Sequence, residues 1–253
     1  MSAAPQPGAD AVADGERAGL RAFEVVLRWA ESRILSGELR VGDQLPAERE
    51  LARQLDVSRS AVREAVRTLQ AQGVLRSAVG AGAAGGTTVT ALPARALERF
   101  LRLHVALANF PLNDVIEARI ALERLSARLA ARNAKPRHIE AMHHAVLVMS
   151  TPSVERSVFN DADTAFHVAI AEAAGNRLAA DLTVAIRESM RGPLLTAFQN
   201  VEDWDGLATD LRGDHASIFA AIREHDGERA EHLVGEHIRV AWSAFAPGLS
   251  LSG

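Results

Sequence analysis

The 253-residue chain contains no cysteine. That excludes disulfide frameworks, thiolate metal sites and cysteine nucleophiles together, and it fits a reducing, cytoplasmic location. Lysine is nearly absent: Lys135 is the only one, so arginine supplies the rest of the 28 basic side chains. No apolar run reaches the ~18 residues of a membrane span, so no membrane partner is expected. The N-terminal stretch lacks the basic start and apolar middle of a secretory leader. Residues 1–16 are small, acidic and contain Pro and Gly, and are expected to form a disordered tail. The net charge of −4 excludes a basic surface over the whole molecule.

Hydrophobic residues make up 48% and charged residues 24%, values of a globular protein large enough to hold a core without staples. Charge is spread unevenly. From Arg17 to Arg76 there are eleven Arg against eight Asp or Glu, while the remainder is acidic. A small basic piece on an acidic body points to a polyanion contact confined to the N-terminal part. The Gly-rich stretch SAVGAGAAGGTTVTALP marks the junction, dividing the chain into domains at 17–91 and 92–253.

In the first domain, Phe23, Val26, Leu27, Ala30 and Ile34 recur at helical spacing, predicting a helix from about Leu20 to Ser36 that Gly37 stops. Pro46 then opens a short helix with Leu51, Ala52 and Leu55 inward. Ser58 is a good N-cap for a third helix, with Val57 and Val62 at staple spacing and Gly73 closing it. Two short strands, 74–76 and 87–90, follow around a Gly-rich wing. Two helices joined by a tight turn, then a hairpin, make a winged helix-turn-helix. Arg59, Ser60 and Arg63 lie at the leading end of its second helix, where side chains reach phosphates and guanine edges. A small helical domain with a solvated arginine face is the plainer alternative.

Residues 94–245 read as helices throughout, predicting an antiparallel bundle of six or seven and hence a mainly α protein. Asn113 or Asp114 would cap one helix, Pro136 would open the next, and Ser153 would start the one after. Asp163 and His167 stand four apart on one helix, and His215 and His237 lie on two others beside apolar residues. One carboxylate and three imidazoles aimed at one interior suit a divalent metal, although each histidine taken singly reads more readily as a hydrogen-bonded core or surface residue than as a ligand.

The stretch LPAERELARQLDVSRSAVREAVRTLQAQGVL resembles the DNA-binding domain of the GntR family of bacterial transcription regulators. That resemblance, over about residues 20–91, implies DNA contacts by Arg49, Arg59 and Arg63, further contacts by Ser58 and Ser60, and a minor-groove approach by Gly80. The wing is longer and more Gly-rich than the common form. DADTAFHVAIAEAAGN and DHASIFAAIREHDGERAEHLVGEHI are similar to the ligand-sensing FCD domain of the FadR-like branch. The resemblance implies a metal held by Asp163, His167, His215 and His237, as in the branch's members that sense organic acids. Arg119 is then expected to pair with an effector carboxylate, against a surface pair with Glu123 as the alternative. Asn176 and Arg187 are further effector candidates. The combined expectation is a homodimeric regulator, more often a repressor, that binds palindromic double-stranded DNA and a small carboxylate. The ion would be Zn, Ni or Mn. Two rivals stand beside it: a helical-bundle metalloenzyme acting on a small carboxylate, and an interaction module whose four polar residues are structural.

Overall fold

The computed structural model describes residues 9–78, 86–91, 93–107 and 109–245. Contacts divide the chain into two units, Met1–Ala96 and Leu97–Gly253, a few residues later than the expected boundary at 91/92.

The first unit begins with α1, Ala9–Leu35, so its helix starts well before Leu20. Residues 9–16, expected to be part of a disordered tail, are helical; residues 1–8 lie outside the described residues. Gly37, at φ +77°, takes the left-handed turn that ends the helix. Next come α2 (Glu48–Leu55) and α3 (Arg59–Ala71). Asp56, at φ 51°, makes the turn between them. Ser58 is the N-cap of α3, its Oγ accepting from Ala61 N at 3.2 Å. Strands β1 (Leu75–Ala78) and β2 (Gly86–Val89) pair antiparallel, Leu75 opposite Val89. The segment before α2 adds itself to this hairpin. Gly42 N donates to Val89 O, Val89 N to Asp43 O, and Leu45 N to Thr87 O at 2.8–2.9 Å. Val26, Ala30, Leu45, Leu51, Val62, Leu69, Leu75 and Val89 form one apolar core. This is a winged helix-turn-helix.

The second unit is built from α4 (Pro93–Ala106), which crosses the boundary, α5 (Leu112–Asn133), α6 (Pro136–Met149), α7 (Arg156–Ala173), α8 (Arg177–Asn200), α9 (Trp204–Arg223) and α10 (Gly227–Phe245). Neither Asn113 nor Asp114 caps α5, which starts a residue earlier behind Pro111. Asn113 Oδ1 instead accepts from Trp242 Nε1 at 3.0 Å. Ser153 lies in a left-handed turn, φ 54°, ahead of α7. Contacts set the helix directions. Arg156 reaches Phe198 O and Arg187 reaches Asp163, so α7 and α8 are antiparallel. Asn133 Nδ2 donates to Ala174 O, joining the C-terminal ends of α5 and α7, which run parallel. Close approach of α10 to α5 rests on small residues: a Cβ on Gly227 would meet Arg128 O at 3.0 Å. Met142, Phe159, Phe166, Ile170, Met190, Ile218, Ile222 and Ile238 fill the interior, each contributing about 1.5–3 kcal/mol by burial. No helix among the described residues is long and apolar enough to cross a membrane.

Candidate metal centre and nucleic-acid interface

The bundle core is apolar except at its middle, where α5, α7, α8, α9 and α10 bring charged and polar side chains together. Asp163 and His167 come from α7, His215 from α9 and His237 from α10, all buried. One ligand atom from each lies within 4.8 Å of all the others. His215 Nε2 is 3.0 Å from Asp163 Oδ1, His167 Nε2 is 3.7 Å from it and His237 Nε2 is 4.0 Å.

Surrounding groups orient these imidazoles. His237 Nδ1 donates to Asp214 Oδ2 at 3.1 Å, which turns its Nε2 lone pair inward. His167 Nδ1 sits 2.6 Å from Glu123 Oε2. Its Nε2 is fully buried and makes no hydrogen bond. Burial, reinforced by Arg187, pushes the His167 pKa down to about 3, and burial with His215 lowers that of His237. Both rings are therefore neutral near pH 7, the form that offers a lone pair to a cation. Burial opposes ionisation of Asp163, but Arg187, the hydrogen bond with His215 and His167 together outweigh it and hold the carboxyl well below the usual range. Neutral His167 and His237, with His215 Nε2 turned to the same ionised carboxylate and a buried His167 nitrogen lacking a partner, fit a divalent metal.

Glu123 was not anticipated as a central residue. It is buried, and burial disfavours its charge, yet Arg187, His167 and Arg119 hold its pKa well below normal. Arg187 Nε and Nη2 donate to its two oxygens at 2.9 and 3.0 Å, while Nη1 donates to Asp163 Oδ2 at 2.8 Å. Arg187 is thus committed to protein carboxylates rather than presented to an effector. Arg119 Nε donates to Glu123 Oε1 at 2.7 Å. The Glu123 pairing weighed as a surface alternative exists, but inside the protein. Among the described residues that is the hydrogen bond Arg119 makes, through Nε, which leaves its terminal amino groups for a ligand. Asn176 is elsewhere. It is exposed, caps α8 by accepting from Ala179 N, and lines a surface hollow of about 390 Å³ with Arg137, His138 and Glu172. The signal for Glu123 was present: four residues after Arg119, it shares that residue's helix face.

In the first unit Arg49, Ser58, Arg59, Ser60 and Arg63 are all exposed. Arg59 and Arg63 stand one turn apart on α3, whose N-terminus itself favours phosphate. Ser58 and Ser60 hydroxyls are 2.9 Å apart. Arg63 Nε is 3.4 Å from Glu48 Oε2, a loose pair between α3 and α2. Gly80 lies outside the described residues.

Together the two units define a class: a winged helix-turn-helix of the DNA-binding kind joined to a helical domain with a buried polar centre. The family model described as bacterial regulatory proteins, gntR family, matches residues 30–84, and that of the FCD domain matches residues 114–240. The putative L-lactate dehydrogenase operon regulatory protein of Escherichia coli K12 is 30% identical over 79% of this chain and 77% of its own. The Glc operon transcriptional activator of the same strain is 28% identical over 85% of both chains. Among solved structures, Streptococcus agalactiae GntR is similar at a TM-score of 0.58 and 25% identity, covering 87% of this chain and 99% of that one. The chain belongs to the GntR family of transcription regulators and carries an FCD domain. It is a regulator and not an enzyme, which removes the metalloenzyme reading.

Proposed function

We propose that the chain is a homodimeric repressor that senses a small carboxylate through a bound divalent metal. Asp163, His167, His215 and His237 hold one ion, Zn, Ni or Mn. Arg119 pairs with the effector carboxylate. The observation that carries this reading is the convergence of four buried ligand atoms within 4.8 Å. Charge supports it. Arg119 and Arg187 balance Glu123 and Asp163, so a divalent ion leaves the buried set at a surplus of two positive charges, which an anionic ligand relieves. A relative named for an L-lactate dehydrogenase operon suits an acid of this size.

Two copies would bind a palindromic operator, since two-fold protein symmetry calls for a two-fold site. Arg49, Ser58, Arg59, Ser60 and Arg63 are the contacts. Their exposure leaves them open to DNA, and effector binding at the bundle would relieve repression through coupling between the two sites. The test combines metal analysis of the purified protein with thermal unfolding against a panel of small carboxylates. About one metal per chain, and a rise in Tm with one acid only when metal is present, is expected. His215→Ala should lose most of the metal. A fully metallated His215→Ala protein would sink the ligand assignment.

A further inference from the structure

Beyond the metal-binding set, the inner helix faces hold polar groups with no partner. Among the described residues, the fully buried side-chain polar atoms without a hydrogen bond belong to Ser126, Asn160, His167, Thr183 and His215. Asn160 is the amide among them, outside the metal-binding set. Its side chain is 1% exposed, and both its Oδ1 and its Nδ2 lack partners. An amide left unpaired on both sides is costly and calls for a reason.

Its place supplies one. Asn160 precedes Asp163 by three residues and His167 by seven, so it lies on the same face of α7. Because α5 and α7 are parallel, moving from the cluster toward the α7 N-terminus also moves toward the α5 N-terminus. Arg119 lies on that side, one turn before Glu123. Arg119 and Asn160 therefore flank the same end of the cluster. Ser126, after Glu123 on α5, and Thr183, before Arg187 on the antiparallel α8, lie at the opposite end.

We propose that Asn160 reads the effector, and that the effector is a 2-hydroxy acid. This rests on the small-carboxylate reading above and narrows it. A carboxylate with a hydroxyl on the next carbon presents an O–H donor beside acceptor oxygens. The amide is its complement: Oδ1 accepts from the hydroxyl and Nδ2 donates to a carboxylate oxygen. The deoxy acid leaves Oδ1 unpaired, and a site built around a hydroxyl rejects the analogue lacking it.

The test is calorimetric titration of the full-length metal-loaded protein with three matched pairs: glycolate and acetate, lactate and propionate, malate and succinate. For at least one pair the wild type should bind the hydroxy member about tenfold or more tightly. Asn160→Leu should lose that preference while keeping its metal content and its helicity. If Asn160→Leu fails to fold, Asn160→Ser, too short to span both groups, should show the same loss. Equal binding of both members by the wild type, or a preference that survives in the folded variant, overturns the role of Asn160 alone. No binding of any of the six acids by the wild type overturns the carboxylate reading beneath it.

Discussion

Arginine does opposite work in the two units. In the winged helix, Arg49, Arg59 and Arg63 stand in solvent, and the pair between Arg63 and Glu48 is long and exposed. In the bundle, Arg187 is buried and spends all three of its donor nitrogens on Glu123 and Asp163. Exposed charge is cheap to keep and free for an external polyanion. Buried charge is tolerated only when its partners are built in. One unit therefore looks complete without a ligand, whereas the other holds a nearly neutral, preorganised set that a cation and an anion would join.

The largest test of this contrast is Arg187→Met. It should leave the two buried carboxylates with Arg119 as their one arginine and cost about 3–5 kcal/mol in urea unfolding. A loss under ~1 kcal/mol would show that the network is not what makes the buried charges tolerable. Next, Asp214→Asn should weaken metal binding about 10–100-fold by releasing the His237 ring, with little change in stability; competition with a metal-binding dye reads this. Arg63→Ala should weaken operator binding by ~1–3 kcal/mol and move unfolding free energy by no more than ~0.5 kcal/mol. Equal damage to fold and DNA binding would erase the distinction between the units. The smallest effect expected is from Ser58→Ala, about 1 kcal/mol from the loss of the α3 cap, confined to the first unit's unfolding transition.

Much of the first unit was legible because its signals are local. The Ser58 cap, the Val57–Val62 spacing and Gly73 each act within one helical turn, and α3 starts and stops where they say. The expected tail was misread over residues 9–16 because composition argued against order, while the helix continues back from Leu35. The strand-like pairing of residues 42–45 with β2 was also missed, since a short segment without alternation acquires that role only from the neighbour it meets.

In the bundle, the Asp163–His167 spacing was readable because both residues share one helix. Bringing His215 and His237 to them depends on how three helices pack, which no local pattern encodes. The same packing took Asn176 to the surface, committed Arg187 to protein carboxylates and placed Glu123 at the centre.

By itself the sequence determined the helices, the winged helix-turn-helix, the exposed arginines and the residue types from which a metal site could be made, because periodicity and capping act over a few residues. Only the tertiary structure decided which charges are buried together, which arginine keeps free donors and which amide is left without a partner. Those outcomes depend on helix direction and axial level, and they are set when the whole bundle closes around its core.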